Sequence, residues 1–70
     1  MSSWPPKPGE LWRTHESWKH RGIEEDELIL ILSHIERGGI NFNNLIQVSS
    51  RSGISMIAVT PAEISLVRGV

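Results

Sequence analysis

The chain has 70 residues, with seven lysines and arginines, eight aspartates and glutamates, and no cysteine. This length predicts one domain, and the lack of cysteine excludes disulfides and thiolate metal sites. A formal net charge of −1 provides no broad positive field for nucleic acid or an acidic membrane. The longest apolar run, Leu28–Leu32, is far shorter than the roughly 20 residues of a membrane span. We therefore expect a cytoplasmic protein that does not enter a membrane.

The apolar residues favour β-structure. Nine isoleucines and four valines stand against six leucines and two alanines. Side chains that branch at Cβ fit the pleated surface of a sheet and restrict rotamers in a helix. The composition therefore predicts an all-β domain.

Residues 1–8 form a proline-rich arm before the domain at residues 9–70. Pro5, Pro6 and Pro8 lack amide donors, so this segment should be extended and lie outside a sheet interior. Trp4 has three interpretations. It covers an edge or end of the fold, it lies in a frayed arm, or it belongs to a proline-rich ligand for another protein.

A first strand is expected at about Leu11–His15, after the turn that Gly9 marks. Alternation places Trp12 and Thr14 on the face opposite Leu11 and Arg13. The polar stretch 19–27 is predicted to be a long loop.

Residues 28–36 fit two structures. A strand buried on both faces explains five consecutive apolar residues, whereas Leu28, Ile31, Leu32 and Ile35 also fit a helical stripe. We favour the strand, because a helix would leave Ile29 and Leu30 off the stripe.

Three further strands complete the prediction. A Gly38-Gly39 hairpin leads to a strand over 40–48 with a β-bulge at Asn43-Asn44, and a polar loop over 49–53 leads to a strand over 54–59. The sequence 60–63, Thr-Pro-Ala-Glu, has the pattern of a capping box and predicts one helical turn. Residues 64–67 then form a fifth strand or a short helix.

The expected core residues are Leu11, Ile40, Phe42, Ile46, Val48, Met56, Ile57, Val59, Ile64 and Val67.

This layout, with the start Pro8-Gly9-Glu10-Leu11-Trp12-Arg13, resembles the small SH3-like or KOW-type barrels common in bacteriophage genomes. The resemblance covers roughly residues 8–68. It implies a barrel of about five strands with a one-turn helix before the last strand. Proline-rich ligands bind eukaryotic SH3 domains through aromatic pairs, and this chain has no tyrosine and one phenylalanine. That ligand class is therefore not expected.

No arrangement of residues predicts catalysis. The three histidines, His15, His20 and His34, lack the spacing of a helical zinc pair. No phosphate loop or nucleophile–base motif is present. We expect no enzyme activity, no cofactor and no metal. The acidic run 24–27 is interpreted as a solvated face, or as a patch for a basic partner surface.

Two surfaces are candidates for binding. A basic segment with Arg13, Lys19 and Arg21 around Trp18 suits nucleic acid, although the nearby acidic run neutralises it. The apolar run 28–32 places Ile29 and Ile31 on one face of a strand and three leucines on the other, so one face needs cover from outside. We therefore expect docking of another protein, from a host or a virion, or self-association, with Trp12 or Trp18 as an anchor. Nucleic-acid binding and a structural role as a self-assembling subunit are the alternatives.

Overall fold

The computed structural model describes residues 4–36 and 44–70. Within these ranges the chain forms five strands and one short 3₁₀ helix, so the all-β prediction is confirmed. The strands are β1 (Leu11–Thr14), β2 (Leu28–Glu36), β3 (Asn44–Ser50), β4 (Gly53–Val59) and β5 (Ile64–Arg68), and the 3₁₀ helix is Lys19–Arg21.

The strands form a single antiparallel sheet. Its order is β4-β3-β2-β1-β5, so the chain meanders from β1 to β4 and then returns to place β5 beside β1. Among the described residues β4 and β5 each pair with one strand only. The sheet is therefore open, and the expected closure into a barrel is not observed.

Strand β2 is the longest strand and connects the two halves of the sheet. Its residue Leu30 pairs with Leu11 on β1 and with Ser49 on β3. The strand prediction for this segment is confirmed. Leu32 and Ile35 are each an extra residue relative to β3, which makes β2 the bulged strand. Of the bulge predicted at Asn43-Asn44, Asn43 lies outside the described residues, and from Asn44 onward β3 pairs with β4 without a register shift.

One face of the sheet carries the core. Of the predicted core residues, Ile46, Val48, Ile57, Val59 and Ile64 are buried and Leu11 is half-buried. Met56 and Val67 are exposed, which corrects the prediction. Met56 alternates with two inward residues, Ser55 and Ile57, so it points outward. The predicted Gly38-Gly39 turn, Ile40 and Phe42 lie outside the described residues. Within residues 4–36 and 44–70, the buried apolar core comprises Trp12, Trp18, Ile23, Ile29, Ile31, Ile46, Val48, Ile57, Val59 and Ile64.

The β1–β2 connection adds two side chains to this core. Trp18 and Ile23 exchange two backbone hydrogen bonds, of 2.8 and 3.1 Å, around the 3₁₀ helix. Gly22 has φ of 72° at the end of that helix, a conformation that glycine adopts without steric cost. The segment was predicted as a polar loop, but it closes on itself as a small loop that covers the core.

The N-terminal turn explains the Pro-Gly-Glu start. Gly9 has φ of 89° directly after Pro8, as a type II turn requires, and the Glu10 amide donates to the Lys7 carbonyl at 3.1 Å. The buried Glu10 carboxylate accepts from the Lys7 amide at 2.6 Å and from the Trp12 indole at 3.1 Å. Its negative charge is thus held by two internal donors.

The described part of the arm packs on the fold. The rings of Trp4 and Trp12 meet edge to face, with centroids 6.0 Å apart and planes at 81°. Pro6 is fully buried. Of the three interpretations of Trp4, the structure therefore favours the one in which it covers the fold.

The turn before β5 is not a helix. The Glu63 amide donates to the Thr60 carbonyl at 3.0 Å, and the Glu63 carboxylate accepts from the Thr60 amide at 2.8 Å. Only the glutamate half of the predicted capping box therefore forms, because the Glu63 amide is bound by the Thr60 backbone carbonyl and the Thr60 hydroxyl instead donates to the Glu63 carboxylate at 3.0 Å. The His15 amide already donates to the Glu63 carbonyl at 2.7 Å, so the chain enters the sheet at once. Residues 64–68 are the predicted fifth strand, and the one-turn helix is corrected to a turn.

Candidate protein-binding surface

The side of the sheet opposite the core exposes apolar side chains on three strands. On β2, Leu28 is 43% exposed and Leu30 39%, and on β4, Ile54 is 67% exposed and Met56 46%. Half-buried Leu11 on β1 pairs with Leu30. We call Leu11, Leu28, Leu30, Ile54 and Met56 the outer apolar face.

The register fixes how these residues lie together. Leu30 pairs with Ser49, and Ser49 pairs with Ile54, so Leu30 and Ile54 are two strand spacings apart, about 10 Å. The small side chain of Ser49 lies between them. The outer apolar face therefore extends across the sheet from Leu11 to Ile54, at the edge formed by β4, and is interrupted on β3 by Ser49.

The exposed face of β2 is the opposite of the one predicted to contact a partner. Ile29 and Ile31, two of the proposed contact residues, are 0% and 1% exposed and belong to the core. The leucines of the same strand carry the exposed area instead. Alternation in the sequence separates these two faces correctly, but it does not show which of them turns inward.

Neither proposed tryptophan anchor lies at the surface. Trp12 is 2% exposed, and its indole N–H is held by Glu10. Trp18 is also buried, where it packs in the core cluster. Both side chains stabilise the interior, so a partner cannot use them as anchors without opening the fold. Ile54 and Met56 were not predicted as contact residues, because the sequence does not show that β4 is an edge strand.

The basic segment does not form a continuous positive surface. The Arg13 guanidinium lies 3.1 Å from the Asp26 carboxylate in an exposed ion pair. Lys19 and Arg21 are exposed on the 3₁₀ helix. The buried ring of Trp18 offers no stacking face beside them. The cations are therefore solvated or paired with an acid, and the arrangement lacks the aromatic platform that single-stranded nucleic acid uses.

The acidic run is only partly a solvated face. Glu24, Glu25 and Asp26 are exposed, but Glu27 is buried and its carboxylate accepts from the amides of Glu24 at 3.0 Å and Arg51 at 3.2 Å. Asp26 has φ of 61° in this tight turn. An open cleft of about 390 Å³ lies here, lined by Gly22, Glu24, Glu27, Arg51 and Ser52. Because Glu27 already binds backbone donors, it fastens loops together.

The histidines make local hydrogen bonds. The Nε2 atom of His15 lies 2.9 Å from the Ser65 hydroxyl, and that of His34 lies 3.1 Å from Oδ1 of buried Asn44. In residues 4–36 and 44–70, no three side chains of the ligand types form a group that could hold a metal ion. The same part of the chain contains no helix long and apolar enough to span a bilayer.

No protein-family model matches the chain, and neither a curated protein nor a solved structure matches it. The candidate function therefore rests on the geometry of the sheet.

Proposed function

We propose that this chain is a non-catalytic binding module that docks another protein on its outer apolar face. The observation that carries this proposal is the exposure of Leu28, Leu30, Ile54 and Met56 on one side of the sheet, while the other side is filled. Exposed apolar side chains that cluster on one side of a sheet mark an interaction site more often than singly scattered ones do.

The chemistry of this face supports binding over catalysis. Its neighbours on β3 are the neutral residues Gln47 and Ser49, which leave the face uncharged between β2 and β4. Arg13 stands beside Leu28 at one end and is paired with Asp26. The centres of protein–protein contacts are depleted in charged residues, and this face carries none on β3 between β2 and β4.

We further propose an SH3-like arrangement of this sheet. Three features support it: the meander that returns β5 to β1, the Pro8-Gly9 turn before β1 and the tight turn before β5. A cytoplasmic accessory factor, encoded by a phage and docking on a host or virion protein, is the role we infer from the resemblance. The fold by itself does not determine the partner.

The test compares two lysine substitutions of nearly equal exposure. Leu28→Lys alters the outer apolar face, whereas Val67→Lys alters β5 at the opposite edge, where Val67 is 46% exposed. Proteins captured by the full chain from a lysate are identified, purified and titrated against the parent and both variants. We expect Leu28→Lys to weaken binding at least tenfold and Val67→Lys to leave it unchanged. Equal affinity of all three chains would contradict the proposal.

A further inference from the structure

The two edges of the sheet differ in how well they are protected from strand addition. On β5, Val67 is an extra residue between the positions that pair with Leu11 and Trp12, and the strand ends at Arg68. Bulges and charges are common devices that prevent pairing with another chain. The edge at β5 is therefore short, irregular and charged at its end.

Strand β4 carries none of these devices. Its seven residues, Gly-Ile-Ser-Met-Ile-Ala-Val, include no charge and no proline, and it pairs with β3 without a register shift. No described strand lies on its other side. A regular uncharged edge of this length presents free backbone donors and acceptors that another strand can pair with. It also borders the most exposed part of the outer apolar face, at Ile54.

We propose that β4 pairs antiparallel with β4 of a second copy of this chain, about a twofold axis through Met56. The inference rests on the proposed function, since it names the partner of the same face. Pairing of all seven residues sets Gly53 opposite Val59 and therefore places Met56 opposite Met56 of the second copy. Residues directly opposite in a sheet point to the same side, so the two outer apolar faces become continuous.

Charge and symmetry favour a second copy over a foreign strand. In this register Ile54 lies opposite Ala58, so every outward pair is apolar and no like charges meet. The net charge of −1 gives little repulsion between two chains. The contact is the same patch on both chains, so it closes as a dimer and does not extend into a filament. A stable dimer buries about 800 Å² per partner. Against the 4586 Å² surface of one chain, burial on this scale requires flanking residues of the outer apolar face in addition to the β4 edge.

The experiment uses opposite charges at the proposed axis. The size of the parent, Met56→Lys and Met56→Glu is measured by light scattering over a dilution series up to about 100 µM, a range that detects micromolar association. We expect the parent to reach twice the 7.9 kDa mass of one chain. Each charged variant should remain monomeric, because two like charges face each other at the axis. An equimolar mixture of the two variants should recover the doubled mass.

Three outcomes would overturn the proposal: a monomeric parent, single variants that dimerise like the parent, or a mixture that stays monomeric. Val67→Lys serves as the matched control and should keep the parental mass. Leu28→Lys distinguishes this proposal from the previous one. If Leu28→Lys no longer binds the captured partner while the parent chain is monomeric, the proposed docking face is supported and the proposed β4 dimer is contradicted.

Discussion

The carboxylate of Glu27 accepts a hydrogen bond from the backbone amide of Arg51 at 3.2 Å, across 24 residues of sequence. This bond ties the β1–β2 connection to the β3–β4 hairpin. The Ser52 hydroxyl reinforces it by donating to the Gly22 carbonyl at 2.6 Å. The hairpin that leads into β4 is thus held at its tip, which keeps the β4 edge in a fixed position relative to the core.

Replacing Glu27 with Ala should lower the free energy of unfolding by about 1–3 kcal/mol, because two backbone donors lose a partly buried acceptor. Equilibrium denaturation in urea measures the effect. Glu25→Ala is the control: Glu25 is exposed in the same turn, and a surface change of this kind is usually within about 0.5 kcal/mol. Equal stability of the two variants would show that Glu27 does not fasten these loops.

Thr14→Val should also destabilise the fold, by about 1–3 kcal/mol. The Thr14 hydroxyl is buried, accepts from the Glu27 amide at 2.8 Å and donates to the Glu24 carbonyl at 2.8 Å. Valine keeps the shape and leaves both groups without that partner. Thr60→Val, in the half-exposed turn before β5, should cost less. The ranking is measured by denaturation, and a reversed order would contradict the described role of Thr14.

The two faces of β2 can be distinguished by matched truncations. Ile29→Val removes a buried methylene and should cost about 0.5–1.5 kcal/mol. Leu28→Val removes the same volume from an exposed side chain and should have an effect of less than about 0.5 kcal/mol. Urea midpoints of the two variants give the answer. If Leu28→Val were the more damaging change, the assignment of inner and outer faces would be reversed.

The chain should bind DNA and RNA weakly at physiological salt. Arg13 is paired with Asp26, and the total charge provides few phosphate contacts for counterion release. Fluorescence anisotropy with a labelled single-stranded oligonucleotide at about 150 mM salt tests this expectation. Sub-micromolar binding that disappears when Arg13, Lys19 and Arg21 are changed to Ala would contradict it.

The alternation of apolar and polar residues in the sequence predicts some features of this fold and leaves others open. Alternation of side chains identifies strands and separates two faces, which is why Leu28 and Ile29 were placed on opposite sides. It does not show which face turns inward, because that depends on strand order. Met56 and Ile57 illustrate the limit: both are apolar, but in a sheet with a core on one face only one of two adjacent residues points into it.

Other features depended on contacts between distant residues. The burial of Glu27 depends in part on the bond that its carboxylate accepts from the distant Arg51 amide, and the local sequence does not predict that contact. Trp18 stands in a polar stretch, and only the bridge to Ile23 brings it into the core. The bond from the Thr60 amide to the Glu63 carboxylate, in contrast, is encoded within four residues and formed as expected.

The central claim is that two copies of this chain associate through the β4 edge and the adjoining outer apolar face. The most direct measurement is an amide NMR spectrum of the full chain, recorded over a wide dilution series. We predict concentration-dependent shifts confined to Gly53–Val59 and to the neighbourhood of Leu28 and Leu30. A spectrum that does not change with concentration, or shifts centred on Lys19–Arg21, would contradict the claim.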